Sequence, residues 1–246
     1  MTVTTQPQVL LPGQLAAPDG PVDLTNMYVM HHAFRRDLRD FRTTVADARL
    51  GDQDRWHALL ERWRMFGHAL HSHHTAEDEG LWPMLLERVT ASGDDEARTV
   101  LEAMQAEHAR IDPVLEECEE GFVRQADGPT EAVRSALEHS LGAAHELLSG
   151  HLGHEERDAM VLVQRYLVEA DWQYIEEHHF RPAYAPRDIL WVVAWTAIGL
   201  PVEVHRRALA SGGLPVRIVW WLTRGRFRRA QAAVFGRRDP APGQVG

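Results

Sequence analysis

An all-α fold is predicted for the 246-residue chain: an antiparallel up-down-up-down four-helix bundle with a C-terminal helical extension rich in Trp and Arg. Three observations carry that prediction. Four long segments place apolar residues at intervals of three and four, the period of an amphipathic helix. The connections between them are short, which sets consecutive helices side by side and antiparallel. No segment alternates in the manner of a strand.

Residues 1–22 are rich in Pro, Gly, Gln and Thr and are expected to form a loose, disordered N-terminal arm. The bundle is expected over residues 23–170. Its first helix runs from about Asp23 to Arg49, with Met27, Phe34, Leu38, Phe41 and Val45 on one stripe, and Gly51-Asp52 breaks it. The second runs from about Asp54 to Val89 through Trp56, Leu59, Trp63, Phe66, Leu70, Leu81 and Met84. Pro83 is expected to kink it, because proline removes a backbone hydrogen bond. "ASGDDE" separates the second helix from the third, with Asp94 or Asp95 as N-cap. The third carries Leu101, Met104, Ile111, Leu115, Cys118 and Phe122, and "ADGPT" ends it. Pro129 lies near the start of the fourth, a position proline tolerates, followed by Val133, Leu137, Leu141, Ala144, Leu148, Leu162 and Tyr166. Residues 171–246 form the extension. They hold five of the eight tryptophans and at least two more helical pieces, broken by prolines and Gly212-Gly213.

Composition narrows the function. The net charge is −10, unevenly spread: residues 171–246 carry 11 Arg against 6 acids, so the rest of the chain is strongly acidic. Such a body repels phosphate and is unsuited to nucleic acid. The single cysteine, Cys118, cannot form an internal disulfide or hold an iron–sulfur cluster. It lies on the apolar stripe, away from His108, which argues against a thiol mechanism. No Gly-rich phosphate loop precedes a helix. The N-terminus has no positive region followed by a sustained apolar run, and the apolar stretch from Ile189 to Leu200 is shorter than the ~20 residues of a membrane span. The expected location is therefore cytoplasmic, with no membrane span.

Polar residues interrupt every stripe. His31 falls between Met27 and Phe34, and His73 and Glu77 fall between Leu70 and Leu81. His108 falls between Met104 and Ile111, and His151 and Glu155 follow Leu148. Two helices share His-x-x-x-Glu, "HHTAE" and "HLGHE", a spacing that stacks both side chains on one face. Counting ~1.5 Å per residue puts His73/Glu77, His108 and His151/Glu155 at a common height, ~20 Å from one end of the bundle, with His31 fitting less tightly. A lone histidine on an apolar stripe is ordinarily a hydrogen-bonded core residue. Two buried carboxylates at the depth of four imidazoles are costly without a cation. Imidazole and carboxylate without thiolate suit iron or manganese better than zinc at this ligand number. Two glutamates from different helices are able to bridge a pair of ions and leave positions open to a small oxidant.

The order His31, His73-x-x-x-Glu77, His108 and His151-x-x-x-Glu155 resembles the hemerythrin-like (HHE cation-binding) domain family. "MHHAFRRDL", "EDEGLWP", "AEHARIDPVL" and "HLGHEERDAM" agree with it, and the resemblance covers roughly residues 24–170. It implies a four-helix bundle with a non-haem di-iron centre: two iron ions, oxo- or hydroxo-bridged, held by His31, His73, Glu77, His108, His151 and Glu155. The implied ligands are dioxygen, peroxide or nitric oxide. Oxygen-carrying members have a fifth histidine that is not placed in this six-residue set, which favours a non-carrying member.

Other polar residues receive duller assignments. His74 and Asp78 form a second pair at the same spacing; His73 and Glu77 are preferred, with His74 as an extra or alternative ligand. His32 is assigned to the surface or to a supporting contact, and His154 is set outside the ligands. His57, His68, His139 and His145 are expected to be exposed. Arg35 is expected in a surface ion pair, with a carboxylate near the site as the alternative. The basic segment "RGRFRRAQAAVFGRR" is expected to fold against the acidic body, with a protein-partner surface as the alternative. Three functions follow: a di-iron oxidoreductase handling peroxide or nitric oxide in oxidative or nitrosative stress, a sensing module for oxygen or iron, and an inert histidine-rich bundle.

Overall fold

The computed structural model describes residues 5–236; an irregular N-terminal segment precedes Thr25, and the rest is helical apart from short connections. In order they are α1 (Thr25–Asp47), α2 (Gln53–Ala76), a wide π turn π1 (Glu77–Leu81) and α3 (Trp82–Ser92). Next come α4 (Asp95–Asp127), α5 (Glu131–His154), a second wide turn π2 (Glu155–Ala159) and α6 (Met160–Tyr166). The extension contributes α7 (Glu169–Ile175), π3 (Glu176–Phe180), α8 (Pro186–Thr196), α9 (Val202–Ser211) and α10 (Gly213–Phe235). The N-caps follow from side-chain chemistry: Asp52, Asp94 and Thr130 accept from the backbone N–H three residues on, at Arg55, Ala97 and Val133. No described helix is long and apolar enough to cross a membrane.

α1 packs on α5, α4 on both α2 and α5, and α3 on α4 and α6. Their buried faces form two apolar clusters. One gathers Phe34, Phe41, Trp63, Phe66, Phe122 and Leu148. The other gathers Met27, Leu81, Trp82, Leu85, Met104 and Val163. The changeover from one cluster to the other comes between residues 29 and 33 in α1, 70 and 81 in the α2–π1 rod, and 104 and 111 in α4. In the α5–π2 rod it comes between 152 and 159. A polar layer therefore crosses all four rods between two greasy ones.

The wide turns shift the sequence-derived stripes. In π1 the Trp82 N–H reaches back five residues to the Glu77 carbonyl, and in π2 the Met160 N–H does the same to Glu155. Each wide turn adds a residue without advancing the helical face, so the apolar positions beyond it move by one. Leu85 rather than Met84 is in the core, and Met160 and Val163 join Leu162. The break expected at Pro83 falls earlier, at Glu77–Leu81, and Pro83 occupies the first turn of α3.

Residues 5–22 are not loose. Gln6 bridges Gly20, the Gln8 side-chain amide donates to the carbonyls of Gln6 and Val22, and Leu11 and Val22 are buried. Glutamine amides supply what a proline-rich strap lacks in regular backbone pairing, and Leu15 N–H extends the attachment to Glu156. Residues 1–4 of the expected arm and 237–246 of the expected extension, including Arg237 and Arg238, lie outside the described residues.

The extension lies over α1 and α2, but its arginines do little of the docking. Arg207 pairs with Asp23 of the body, whereas Arg181, Arg187 and Arg206 pair with Glu177, Asp188 and Glu203 of the extension itself. The body's own arginines reach outward instead. Arg36 and Arg62 flank the fully buried Asp37 at 2.7 and 2.8 Å, and Trp195 Nε1 donates to the same carboxylate at 3.0 Å. Arg36 also donates to the Trp195 and Ile198 carbonyls, and Arg62 to Gln231. Phe227 and Phe235 cover the Arg62 guanidinium. Burial alone would raise the Asp37 pKa; Arg62 and Arg36 outweigh it and hold the carboxyl below its ordinary value.

Asp37→Ala would strand two buried guanidiniums, and a loss of about 3–5 kcal/mol is expected in urea denaturation. Because the folded-state pKa of Asp37 is depressed, its contribution is complete above pH about 4 and declines as the pH falls toward the folded-state value. The variant should therefore lose less stability than the parent between pH 4 and about 2.

Candidate metal centre

The polar layer contains seven side chains, each no more than 4% exposed: His31, His73, His74, Glu77, His108, His151 and Glu155. Their donor atoms fall into two groups. His31, His73, Glu77 and Glu155 form one, and His74, His108 and His151 form the other, with donor atoms within 4.8 Å of one another in each. The glutamates connect the groups. Glu77 puts Oε1 3.0 Å from His73 Nε2 and Oε2 3.6 Å from His108 Nε2. Glu155 Oε2 lies 3.3 Å from His31 Nε2 and 3.7 Å from His151 Nε2.

The wide turns begin at these two glutamates. Glu77 N–H donates to both the His73 and the His74 carbonyl, and Glu155 N–H to those of His151 and Leu152. Within the second wide turn the neighbours Glu155 and Glu156 are both buried; His73 and His74, also both buried, lie on the regular part of α2 ahead of the first wide turn. Gly80 belongs to this arrangement: a Cβ there would collide with the ring of His179 in π3.

Carboxylates behind the cluster orient three of the imidazoles. His31 Nδ1 is 3.0 Å from Glu156, His108 Nδ1 3.0 Å from Asp78, and His151 Nδ1 2.9 Å from Glu107. With Nδ1 engaged outward, Nε2 of each ring is the atom presented to the centre. Glu156 is itself gripped by both Arg35 terminal nitrogens at 2.6 and 2.9 Å. Arg35 thus makes the inner contact rather than the expected surface pair.

The electrostatics show why the group is unstable as bare side chains. Burial, then the charge of Glu155, pushes the Glu77 carboxyl well above its usual range. Burial also opposes ionisation of Glu155, but the neighbouring His31 outweighs it and holds that carboxyl at about 2. Burial disfavours a proton on His31, yet Glu155 and Glu156 raise its pKa to about 9. Burial and the His31 charge lower His73 to about 3, leaving a neutral imidazole with a free lone pair. Burial, then His108 and His151, depresses His74 as well.

Eight buried donor and acceptor atoms here have no hydrogen-bond partner: His31 Nε2, His73 Nε2, both ring nitrogens of His74, and all four carboxylate oxygens of Glu77 and Glu155. Folded proteins rarely leave such atoms unpaired. The donor set suits metal cations: neutral imidazoles, anionic oxygens and no thiolate.

All six residues singled out in the sequence lie in this layer, and His74, the extra or alternative ligand, lies there with them. His32 is buried but outside the two groups, near Gly199, and His154 stands behind the cluster on Glu107. His57, His68 and His139 are exposed, and His145 is half-buried. The sequence reading missed Glu107 and Glu156 and gave Asp78 a different partner. Each of the three is adjacent in sequence to a residue of the cluster, and Arg35, four after His31, was the one outward sign of Glu156.

A helical protein with a buried layer of imidazoles and carboxylates of this kind is a cation-binding protein. Residues 22–163, more than half of the chain, match the hemerythrin HHE cation binding domain, and the chain belongs to that family. No curated protein and no solved structure matches the chain.

Glu156→Gln keeps the shape but weakens the hold on His31 Nδ1. Chelator competition is expected to show metal bound about 10–100-fold more weakly, with the helical content unchanged.

Proposed function

We propose that residues 23–170 form an antiparallel up-down-up-down bundle that holds two iron ions and binds, and reacts with, a small oxidant: dioxygen, peroxide or nitric oxide. The extension, described over residues 171–236, closes one side of it. The observation that supports this most directly is the division of seven buried donors into two groups joined by two carboxylates of zero exposure. His31 and His73 would serve one ion, His74, His108 and His151 the other, and Glu77 and Glu155 both.

Iron bound there would supply a one-electron redox couple and coordination positions open to a small ligand. The chain's own contribution is orientation, charge and dryness. Glu156, Asp78 and Glu107 fix which nitrogen of each imidazole faces inward. Arg35 offsets the charge of Glu156. Phe34 and Phe180, with ring centroids 5.4 and 5.7 Å from that of His73, keep water from that side. Including His74, the layer has five histidines, so a missing fifth histidine no longer argues against an oxygen carrier. Handling of peroxide or nitric oxide under oxidative or nitrosative stress is the reading that uses this redox capacity.

One contact favours a second reading, an oxygen or iron sensor. Phe180 of π3, in the extension, rests on His73, so a change in that imidazole would be felt directly by the extension.

Metal analysis of protein purified in iron-replete medium is expected to give about two iron per chain, the number of donor groups, and Glu77→Ala should bind less than half as much. Iron-loaded wild type should remove hydrogen peroxide or nitric oxide faster than Glu77→Ala does. Equal rates would exclude turnover, and a reversible spectral change with altered protease cutting between residues 176 and 201 would then favour the sensor.

A further inference from the structure

Over Leu214–Leu222, α10 is apolar on every side, with Arg217 its only charged residue. The inward side is accounted for. Val216 and Val219 line the space that the extension encloses against α1, and Trp220 rests on His205 of α9. The outward side is bare. Leu214, Ile218, Trp221 and Leu222, at i, i+4, i+7 and i+8, form one stripe and are 66, 50, 63 and 64% exposed. A helix that is apolar all round is ordinarily buried all round, so this stripe calls for a cover that the described residues do not supply.

The charge around the stripe narrows what that cover is. α10 carries five arginines, Arg217, Arg224, Arg226, Arg228 and Arg229, and no acid. All five are exposed, and none is paired with a carboxylate among the described residues. Arg224 lies over the Trp220 ring, 4.6 Å from its centroid. At ~100° per residue, Arg217 and Arg224 flank the stripe on one side and Arg226 on the other, while Arg228 and Arg229 continue its line toward the C-terminus. Phe227, Val234 and Phe235 fix the opposite face of the helix in the core, so the stripe points away from the body. Cationic side chains around an apolar stripe are the pattern of a helix lying in the interface of an anionic bilayer. Other covers fit less well. A two-fold contact between copies puts the same patch on both sides, arginine against arginine, with no acid on the helix to pair them. A nucleic-acid backbone would meet the arginines and leave the leucines and Ile218 unburied.

We propose that the outward face of α10 docks on an anionic lipid bilayer, with Leu214, Ile218, Trp221 and Leu222 entering the boundary between headgroups and acyl chains and the arginines of the same helix meeting lipid phosphates. The helix lies on the surface rather than across it, since no described helix is long and apolar enough to cross. Most of the chain's acids belong to the body, which an anionic surface repels, and this sets which side of the molecule faces the lipid. No residue of the His/Glu layer lies on α10, so the surface goes beyond the metal reading and does not depend on it.

The test is cosedimentation of the full-length protein with vesicles of equal parts phosphatidylcholine and phosphatidylglycerol, and with vesicles of phosphatidylcholine alone. Binding to the anionic vesicles is expected to be tighter by about 30-fold or more and to weaken as salt rises. Arg228→Gln combined with Arg229→Gln should weaken it about tenfold or more, and Trp221→Ser combined with Leu222→Ser should do likewise. All four side chains are exposed, so far-UV circular dichroism should stay unchanged in both double variants. Brominated acyl chains in the anionic vesicles should quench part of the tryptophan emission, and Trp221→Phe should lose that part. Absent binding to the anionic vesicles, equal binding to both vesicle types, or binding that either folded double variant leaves intact overturns the proposal. Dimers that form without vesicle binding, and that Trp221→Ser with Leu222→Ser disperses, overturn it in favour of a second copy of the chain.

Discussion

Two carboxylates with no solvent exposure, on facing rods and sharing one layer of imidazoles, are the constraint around which this molecule is built. An isolated buried carboxylate is expensive, and two together repel. The chain spends much of its architecture on keeping them there. Both helices that carry them widen by one residue at that point, and apolar clusters seal the layer above and below. Three outer carboxylates then fix the imidazoles that face them. None of this lowers the energy of bare glutamates. Cations would make it favourable, and that links the fold to the proposed chemistry.

The extension answers a different problem. Its charge suggested an electrostatic clamp on an acidic body, but the working contacts run the other way. Arg36 and Arg62 belong to the body, share Asp37, and reach the Trp195 carbonyl and Gln231. Phe227, Val234, Phe235 and Trp195 supply the apolar part of the contact. The result is a polar anchor under a greasy cover, set beside the His/Glu layer through Phe180, whose ring lies against His73. Charge counting finds neither, because it registers totals and not which residues face one another.

Much of the layer was legible in the sequence because a gap in an apolar stripe is a one-dimensional signal. His31, His108 and the two His-x-x-x-Glu pairs occupy positions where the helical period calls for an apolar residue. His74 lies four residues after Leu70 on an equally regular stripe, so the helical period alone does not choose between it and His73. The wide turn that follows at Glu77–Leu81 has no sequence signature of comparable strength. The same turn moved the core from Met84 to Leu85. Glu156 was hidden for a related reason, lying directly after Glu155 where a regular helix turns ~100°. The strap at residues 5–22 escaped because its hold comes from glutamine side chains on backbone carbonyls, a pairing that composition does not report.

The most direct test is anomalous diffraction at the iron edge from crystals of the protein as purified. The account predicts two peaks, one within bonding distance of His31 and His73 and the other of His74, His108 and His151, with Glu77 and Glu155 reaching both. A single peak, or peaks away from the glutamates, would contradict it.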